Sequence, residues 1–396
     1  MQREPVTRRA AIAAIAAIAV LAWVSSARAA VRWVVVGHGF GHGVGMSAYG
    51  AYGYAQHGKG YRFIIRHYYA GTTIGRLRAP RIVRVLLDVS GGDVGFGDAT
   101  SACGRALDPR RSYEAHRVWA TVRLRSSAGR PLANCGQRLR AAGNGRISIE
   151  GATYRGAFEA VPTAEAAGSL NAVSALTVDQ YVKGVIPNES PPSWPQAELR
   201  AQALASRSFA LTGEVDGNGF DLYDDTRSQV YGGLETETAA SNEAADATRG
   251  QVVMYGGKIA ETFFSACSGG HTESVQNVFF GPPVPYLVGV PDPYDGACPL
   301  HTWKLKFGGP QISSRLGAYL DGRLKRVAIT KRGVSPRIVT AKLIGTGGIT
   351  SVRGDQLETA LGGYSTWMSF RKLVNGKPVG GNGEGRKPGH PGGVGG

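Results

Sequence analysis

Helices and antiparallel strands, laid out in separate stretches around one central helix, are what this 396-residue sequence predicts. Three observations carry that expectation. RIVRVLLDV (81–89), RVWATVRLRS (117–126) and GRISIEG (145–151) alternate in character and are separated by glycine, proline or asparagine, so the chain from 81 to 178 reads as an antiparallel β region. Ser193 and Gln196 have the S-x-x-Q spacing of a capping box, which puts a helix from Trp194 to about Leu211. Runs 251–256 and 258–266 flank Gly256-Gly257, a strong hairpin signal.

Taken in order, residues 1–29 read as an export signal. Arg3, Arg8 and Arg9 precede an apolar run from Ala10 to Val24, and Ala27-Arg28-Ala29 is an A-x-A cleavage site. The Arg8-Arg9 pair is compatible with a twin-arginine route. An uncleaved anchor is the alternative, although the apolar run is short against the ~20 residues that a span needs. VRWVVV (31–36) reads as a strand, after which glycine recurs at 37, 39, 41, 43 and 45. There the backbone must bend sharply or let another group approach closely. The spacing is not that of a dinucleotide-binding loop, and alternating glycines make a zincin-type helix through His38 and His42 implausible.

The stretch 90–165 is expected to form a β-rich insertion, with Cys103 and Cys135 flanking its second strand. Within the central helix, Arg200 and Arg207 lie seven apart and share a face, and Ala201, Ala203, Ala205 and Ala210 are small enough for close packing. An alanine-rich helix is expected over Glu237–Thr248, stopped by Gly250. Arg323–Thr330 and Arg337–Ile344 read as two more strands. The domain is expected to run from 30 to 374. From Asn375 onward glycine, lysine, arginine and proline describe a flexible basic tail.

The formal net charge is +16, and +13 without the first 29 residues. Such a chain seeks an anionic partner. An exported protein with no zinc-finger spacing, ribonucleoprotein sequence or basic heptad is not expected to bind nucleic acid. The acidic polymers and glycans of a cell wall fit better. Four cysteines in an oxidising compartment favour two disulfides, Cys103–Cys135 and Cys267–Cys298 by nearest-neighbour pairing. The rival for the second pair is zinc, since Cys267, His271, Cys298 and His301 offer a Cys2His2 set.

The stretch Tyr181–Leu211, YVKGVIPNESPPSWPQAELRAQALASRSFAL, organises the rest. It reads as an extended segment that breaks at Pro187 and carries Glu189 into a turn framed by Pro191, Pro192 and Pro195. A carboxylate held in a rigid turn beside a helix suits a general acid; a solvated loop acid is the plain alternative. The stretch resembles the signature of the SpoIID/LytB family, Y-x-x-G-V-x-P-x-E-M-P-x-x-W-P-x-E-A-L-x-A-Q-A-x-A-A-R-T-Y-A. Tyr181, Gly184, Val185, Pro187, Glu189, Pro191, Trp194, Pro195, Leu199, Gln202 and Arg207 fit it, while Ser190 replaces the usual Met. Thr226–Tyr231 matches the family's T-x-x-Q-x-Y block, Phe263–Glu273 resembles F-x-S-x-S-G-G-x-T-E, and Asp292–Trp303 resembles D-x-Y-D-x-x-S-P-x-x-x-W. Residues 37–53 and 61–69 resemble its block G-H-G-V-G-M-S-Q-Y-G-A…HYYPGT, with Ala48 where Gln is usual. That block ordinarily follows the segment matched here by Thr366-Trp367, so the chain order suggests a circular permutation. Val34–Val36 is then expected beside Ser369–Lys372, and the glycine loop at the cleft of Glu189.

The resemblance implies an α+β domain rich in antiparallel strands, with the 194–211 helix packed against them. It implies lytic transglycosylation of peptidoglycan, with Glu189 as the catalytic residue. A glycosidase that uses water normally needs two carboxylates. A lytic transglycosylase lets the 6-hydroxyl of muramic acid attack its own anomeric carbon, so one residue can protonate the leaving oxygen and then take the hydroxyl proton. Glu189 must then stay protonated near neutrality. The nearby helix N-terminus works against that, and burial against Trp194, Pro191 and Pro192 works for it. Gln202, Arg207, Gln229, Tyr231 and Ser265, with His38, His42, Gly43 and Ser47 from the glycine loop, are the candidate sugar contacts. No cofactor is expected unless zinc takes the cysteine pair. The family's enhancer branch supplies the competing reading, a non-catalytic wall-binding protein that stimulates a cell-wall amidase. A zinc hydrolase using His38, His42, His271 and the cysteines is a third.

Overall fold

The computed structural model describes residues 30–163, 168–213, 215 and 218–379; the stretch 1–29, expected as an export signal, and the tail beyond 379 lie outside them. Among the described residues are eight α-helices: α1 (Ala48–Gln56), α2 (Tyr61–Tyr68), α3 (Val178–Glu189), α4 (Gln196–Ala210), α5 (Ala239–Ala247), α6 (Val275–Val278), α7 (Gly309–Arg315) and α8 (Gly354–Leu361). Strands pair almost entirely antiparallel, in several sheets, which makes the fold α+β. No helix among the described residues is long and apolar enough to cross a membrane.

The largest sheet runs from Leu222–Tyr223 through Ile82–Ser90, Leu170–Thr177, Ala152–Pro162, Leu139–Ile149, Val94–Ala102, Tyr113–Val118 and Thr121–Ser126 to Pro131–Asn134. The 90–165 stretch is therefore joined edge to edge with the strands that carry the helices, while its outer part keeps a core of its own around Val94, Phe96, Leu124, Leu139 and Phe158. Disulfide Cys103–Cys135 ties that part together. The run 117–126, expected as one strand, is two, turned at Trp119, whose φ is +56°.

The last residue of the Leu170–Thr177 strand starts α3. Thr177 and Gln180 form a reciprocal capping box, satisfying two backbone donors that the helix would leave open. This corrects the expectation of an extended segment from Tyr181: the stretch is helical up to Glu189. A second correction concerns α4. It begins at Gln196 with Pro195 as its cap residue, and no side chain caps it, so Ser193 does not play that part.

Helix α4 is covered on two sides. One face meets α3 and the sheet through Leu199, Ala203 and Ala210, against Val83, Val85, Leu176 and Val185. The other meets α1, α2 and the glycine loop through Ala201, Leu204 and Ala205, against Val44, Met46, Ile64 and Val253. Alanines permit that double contact, and each fully buried leucine contributes roughly 1.5–3 kcal/mol. Thr238 and Ser241 cap the start of α5, which ends at Ala247 with Thr248 as its C-cap, ahead of Gly250. The Gly256-Gly257 turn joins Gln251–Tyr255 to Lys258–Ile259. That second strand stops at 259, not 266, and Phe264–Ser265 pairs in parallel with Met46–Ser47.

The ends of the described chain meet. Val31–His38 lies between Thr302–Gly308 and Met368–Val374, with Val34 opposite Arg371, Val35 opposite Phe370 and Val36 opposite Ser369. Ala30 and Asn375 exchange hydrogen bonds of 3.0 and 3.1 Å. The expected adjacency of the two segments is observed. The last hairpin extends to Lys377–Pro378, past the expected boundary at 374.

Candidate acid–base site

Glu189 is the last residue of α3, two residues after a proline within the helix. Pro187 has no N–H to donate, so the final turn is held otherwise. Asn188 Nδ2 and the Gly232 N–H both donate to the Gly184 carbonyl, at 2.8 and 3.0 Å, and the Ser190 N–H donates to Ile186, at 2.8 Å. The chain then turns through the prolines, with the Trp194 N–H on the Pro191 carbonyl at 2.9 Å. The acid is thus carried on a braced backbone. Its carboxylate is half-buried and accepts one hydrogen bond, 3.1 Å from the Val230 N–H to Oε1. Burial pushes its pKa up, and the Val230 N–H pulls it partly back. The end of α3 presents carbonyls, a location that disfavours an anion. The N-terminus of the following helix opposes the protonated form, as expected, whereas the end of α3, on which Glu189 sits, supports it.

Beside this turn, Trp194 meets Tyr49 and Tyr52 of α1, with ring centroids 4.9 and 4.7 Å away. The contact seen between the glycine block and this turn is made by α1 on Trp194, whereas Gly37–Ser47 was the part expected at the cleft of Glu189. Nor does the structure bring the other candidates to an open surface. Arg207 is fully buried: its Nε donates to Asp179 at 2.8 Å, and its remaining donors go to the carbonyls of Ala203, Gln251 and Ala245. It joins α3, α4, α5 and the 251–255 strand, and a sugar cannot touch it. Tyr231 packs against Tyr181 and Tyr154 as core. Gln202 and Gln229 are enclosed, one donating to Ser206 Oγ at 3.1 Å and the other to the Ser206 carbonyl at 3.3 Å, while both Oε1 atoms lack a partner. Ser265 Oγ is likewise enclosed and without a partner. Gln202 and Gln229 thus meet at Ser206, while Ser265 lies beside Ser47 and Gly41 of the glycine loop.

The glycine loop is a scaffold in this geometry. Ser47 caps α1, accepting from the N–H groups of Gly50 and Ser268 at 3.1 and 3.3 Å. Gly43, at φ +74°, lies under the buried guanidinium of Arg337, where no side chain fits. His42 Nδ1 accepts from the Val44 N–H at 2.9 Å, and its ring lies between Phe263 and Phe279. Burial, with the nearby Arg337 cation, lowers its pKa to about 4, so it is neutral. His38 stacks near Trp367, far along the loop, with its pKa lowered by burial and by His301.

Cys267 and Cys298 are bonded to each other, as are Cys103 and Cys135. His271 turns its Nδ1 to the Thr272 carbonyl, 2.7 Å away, and His301 its Nδ1 to Asp295, 2.8 Å away. The Cys2His2 alternative is not assembled, and no cluster of three or more metal-type side chains occurs among the described residues. Sequence reasoning missed several buried acids. Asp295 accepts from the N–H groups of Gly269 and Gly270, and Glu273 from those of Val334 and Ser335. Asp292 accepts from Tyr68 and Ser268, its pKa raised by burial to about 6. All three fall in quoted motif blocks, which was the available signal. Glu198, buried next to Ser190, had none.

One braced, half-buried carboxyl at a helix end, in a turn whose Trp194 packs on Tyr49 and Tyr52, is the layout of a site that can hold a proton and exchange it. Residues 166–255, which include that carboxyl, match the family model described as Stage II sporulation protein, SpoIID. The chain is 39% identical over 147 residues to an uncharacterised protein of Brachyspira hyodysenteriae, covering 36% of this chain and 39% of that one. It is 35% identical over 134 residues to the Amidase enhancer of Bacillus subtilis, covering 34% of this chain and 18% of that protein. With Stage II sporulation protein D of Bacillus subtilis it shares 26% identity over 217 residues, 50% of this chain and 62% of the relative. Each match thus spans less than two thirds of the relative. The chain carries a domain of the SpoIID/LytB family.

Proposed function

We propose that the protein is exported and acts on the cell wall, cleaving peptidoglycan glycan strands by lytic transglycosylation with Glu189 as the single acid and base. The observation that carries this reading is the state of Glu189: half-buried, given one backbone hydrogen bond, and raised in pKa by burial. No other carboxylate shares a hydrogen bond or ion pair with it among the described residues. That suits the intramolecular route, in which Glu189 protonates the glycosidic oxygen, the bond to the anomeric carbon breaks, and the 6-hydroxyl of the same sugar closes on that carbon. Its proton returns to Glu189, leaving a 1,6-anhydro end and a restored acid. The rings of Trp194, Tyr49 and Tyr52 supply apolar faces on which sugar rings can rest.

Mass spectrometry of digested glycan strands tests this. Anhydro ends are expected from the parent protein and not from Glu189→Gln; equal release by both would sink the mechanism. The second reading, a non-catalytic stimulator of a wall amidase, is favoured by one observation, the likeness to a protein named Amidase enhancer. Under it, Glu189→Gln leaves amidase stimulation intact and the parent produces no anhydro ends. The net positive charge would serve either role by holding the protein on anionic wall polymers.

A further inference from the structure

Glu198 lies in the first turn of α4, fully buried. Its Oε1 accepts a 2.8 Å hydrogen bond from Ser190 Oγ, and its Oε2 has no partner. The arginines on the same helix are engaged elsewhere, Arg200 with Glu243 and Arg207 with Asp179, so neither neutralises it. A carboxylate so enclosed keeps its proton: burial pushes its pKa up to about 8, against the pull of the Ser190 hydroxyl. With Oε1 occupied, the proton sits on Oε2 as a donor without an acceptor.

One helical turn along the same face, Gln202 has the complementary shortage. Its Nε2 is given to Ser206, and its Oε1 is open. An open donor and an open acceptor one turn apart, shielded from solvent, are the setting for a buried water. This strip starts at Ser190, which is bonded covalently to Glu189. Ser190 is held from two sides, its N–H by Ile186 and its Oγ by Glu198. The direction in which the chain leaves α3 is thereby fixed, and with it the side chain of Glu189 against Val230. In the family pattern quoted above, positions 190 and 198 read Met and Ala. Here an apolar pair is replaced at both ends by a hydrogen-bonded one.

We propose that Glu198 is a positioning residue for Glu189, acting through Ser190, and that Ser190, Glu198 and Gln202 form a hydrated strut fixing the acid-bearing turn to α4. The proposal rests on the reading of Glu189 as the acid. Glu198 touches no substrate and transfers no proton to it.

The test is a double-replacement cycle in the full chain: Glu198→Ala, Ser190→Met, and both together. On purified glycan strands each single change should lower kcat by ~10-fold or more with KM unchanged, and the double should return to within ~3-fold of the parent, as expected for directly coupled neighbours. In parallel, the Glu189 carboxyl is titrated by NMR in protein labelled at glutamate carboxyl carbons. Each single change should move its midpoint by at least ~0.5 unit, and the double should restore it. Additive losses, or a Glu189 titration unmoved by either change, would overturn the strut. A parent protein that cleaves no glycan would instead remove the transglycosylase reading, leaving the titration to decide the strut alone. Should the single variants not fold, Glu198→Gln, which still accepts from Ser190, must leave the Glu189 midpoint in place; a shift in that variant would overturn the proposal.

Discussion

The proline-framed turn after α3 and the glycine–histidine loop at 37–47 are both dense in small and polar residues, and both abut α4 or its neighbours. They differ in how their polar groups are satisfied. In the glycine loop Ser47 takes two backbone N–H groups, His42 takes one, and Gly43 makes room for an arginine whose guanidinium bonds the carbonyls of His271 and Ser268. In the turn, the Glu189 carboxylate has a single hydrogen bond, from the Val230 N–H. The loop's polar groups mostly hold one another and build a scaffold, although Arg337 Nε and Ser265 Oγ stay without a partner there; the carboxyl at the end of α3 keeps most of its bonding capacity free for a ligand or a proton.

The sharpest way to break that contrast is Arg337→Leu. Removing the buried guanidinium uncovers two carbonyls and leaves Glu273 without its nearby cation, so a loss of about 3–5 kcal/mol is expected in urea unfolding. A loss under ~1 kcal/mol would mean that the glycine loop is not a scaffold. Glu189→Gln should do the opposite, lowering glycan cleavage at least ~10²-fold while the unfolding midpoint stays put.

Acidity distinguishes the regions next. Glu198 has a folded pKa of about 8, above the ~4.3 of an unfolded glutamate, so the folded state binds the extra proton. Its stabilising contribution is complete below that unfolded value and is lost as pH rises toward 8. Glu198→Gln should flatten the decline between these limits by ~1–2 kcal/mol, seen as a smaller drop in Tm from pH 5 to 8. An identical pH dependence in both proteins would show that Glu198 is already ionised. The smallest effect concerns the cap of α1: Ser47→Ala should cost about 1 kcal/mol and leave the Glu189 titration unmoved.

Much of this fold was legible. Glycines in tandem at 256–257 gave the hairpin, alternation gave the strand at 82–90 and the second half of the one at 139–149, and small residues gave a closely packed helix, which is in fact covered on two sides. Helix α3 was not read, because Pro187 looked like a break and the apolar residues after Tyr181 fit a strand. Thr177 and Gln180 nonetheless have the capping-box spacing, three residues apart and directly ahead of it. Glu189 is singled out by its motif alone. Arg207 and Tyr231 were misassigned for a physical reason. Residue type tells which bonds a side chain can make, whereas burial, set by the packing of α3, α4 and α5, decides with whom. Glu198 shows the same limit from the other side: nothing local distinguishes a buried glutamate from the exposed ones common on helices.

The strand Val31–His38 occupies an interior place in its sheet, between Thr302–Gly308 and Met368–Val374. Its partners are separated from it by most of the chain, so their pairing has a very high contact order and closes loops of roughly 260–340 residues. The first strand therefore waits, while the regions around α4 and the large sheet, which have separate cores, can organise earlier. A chain cut before residue 368 would retain those cores and Glu189 yet leave one edge of its first strand bare, open to pairing with another molecule. Such a truncation should be recovered as an associating species, and its rate of association would report how long that strand normally stands uncovered.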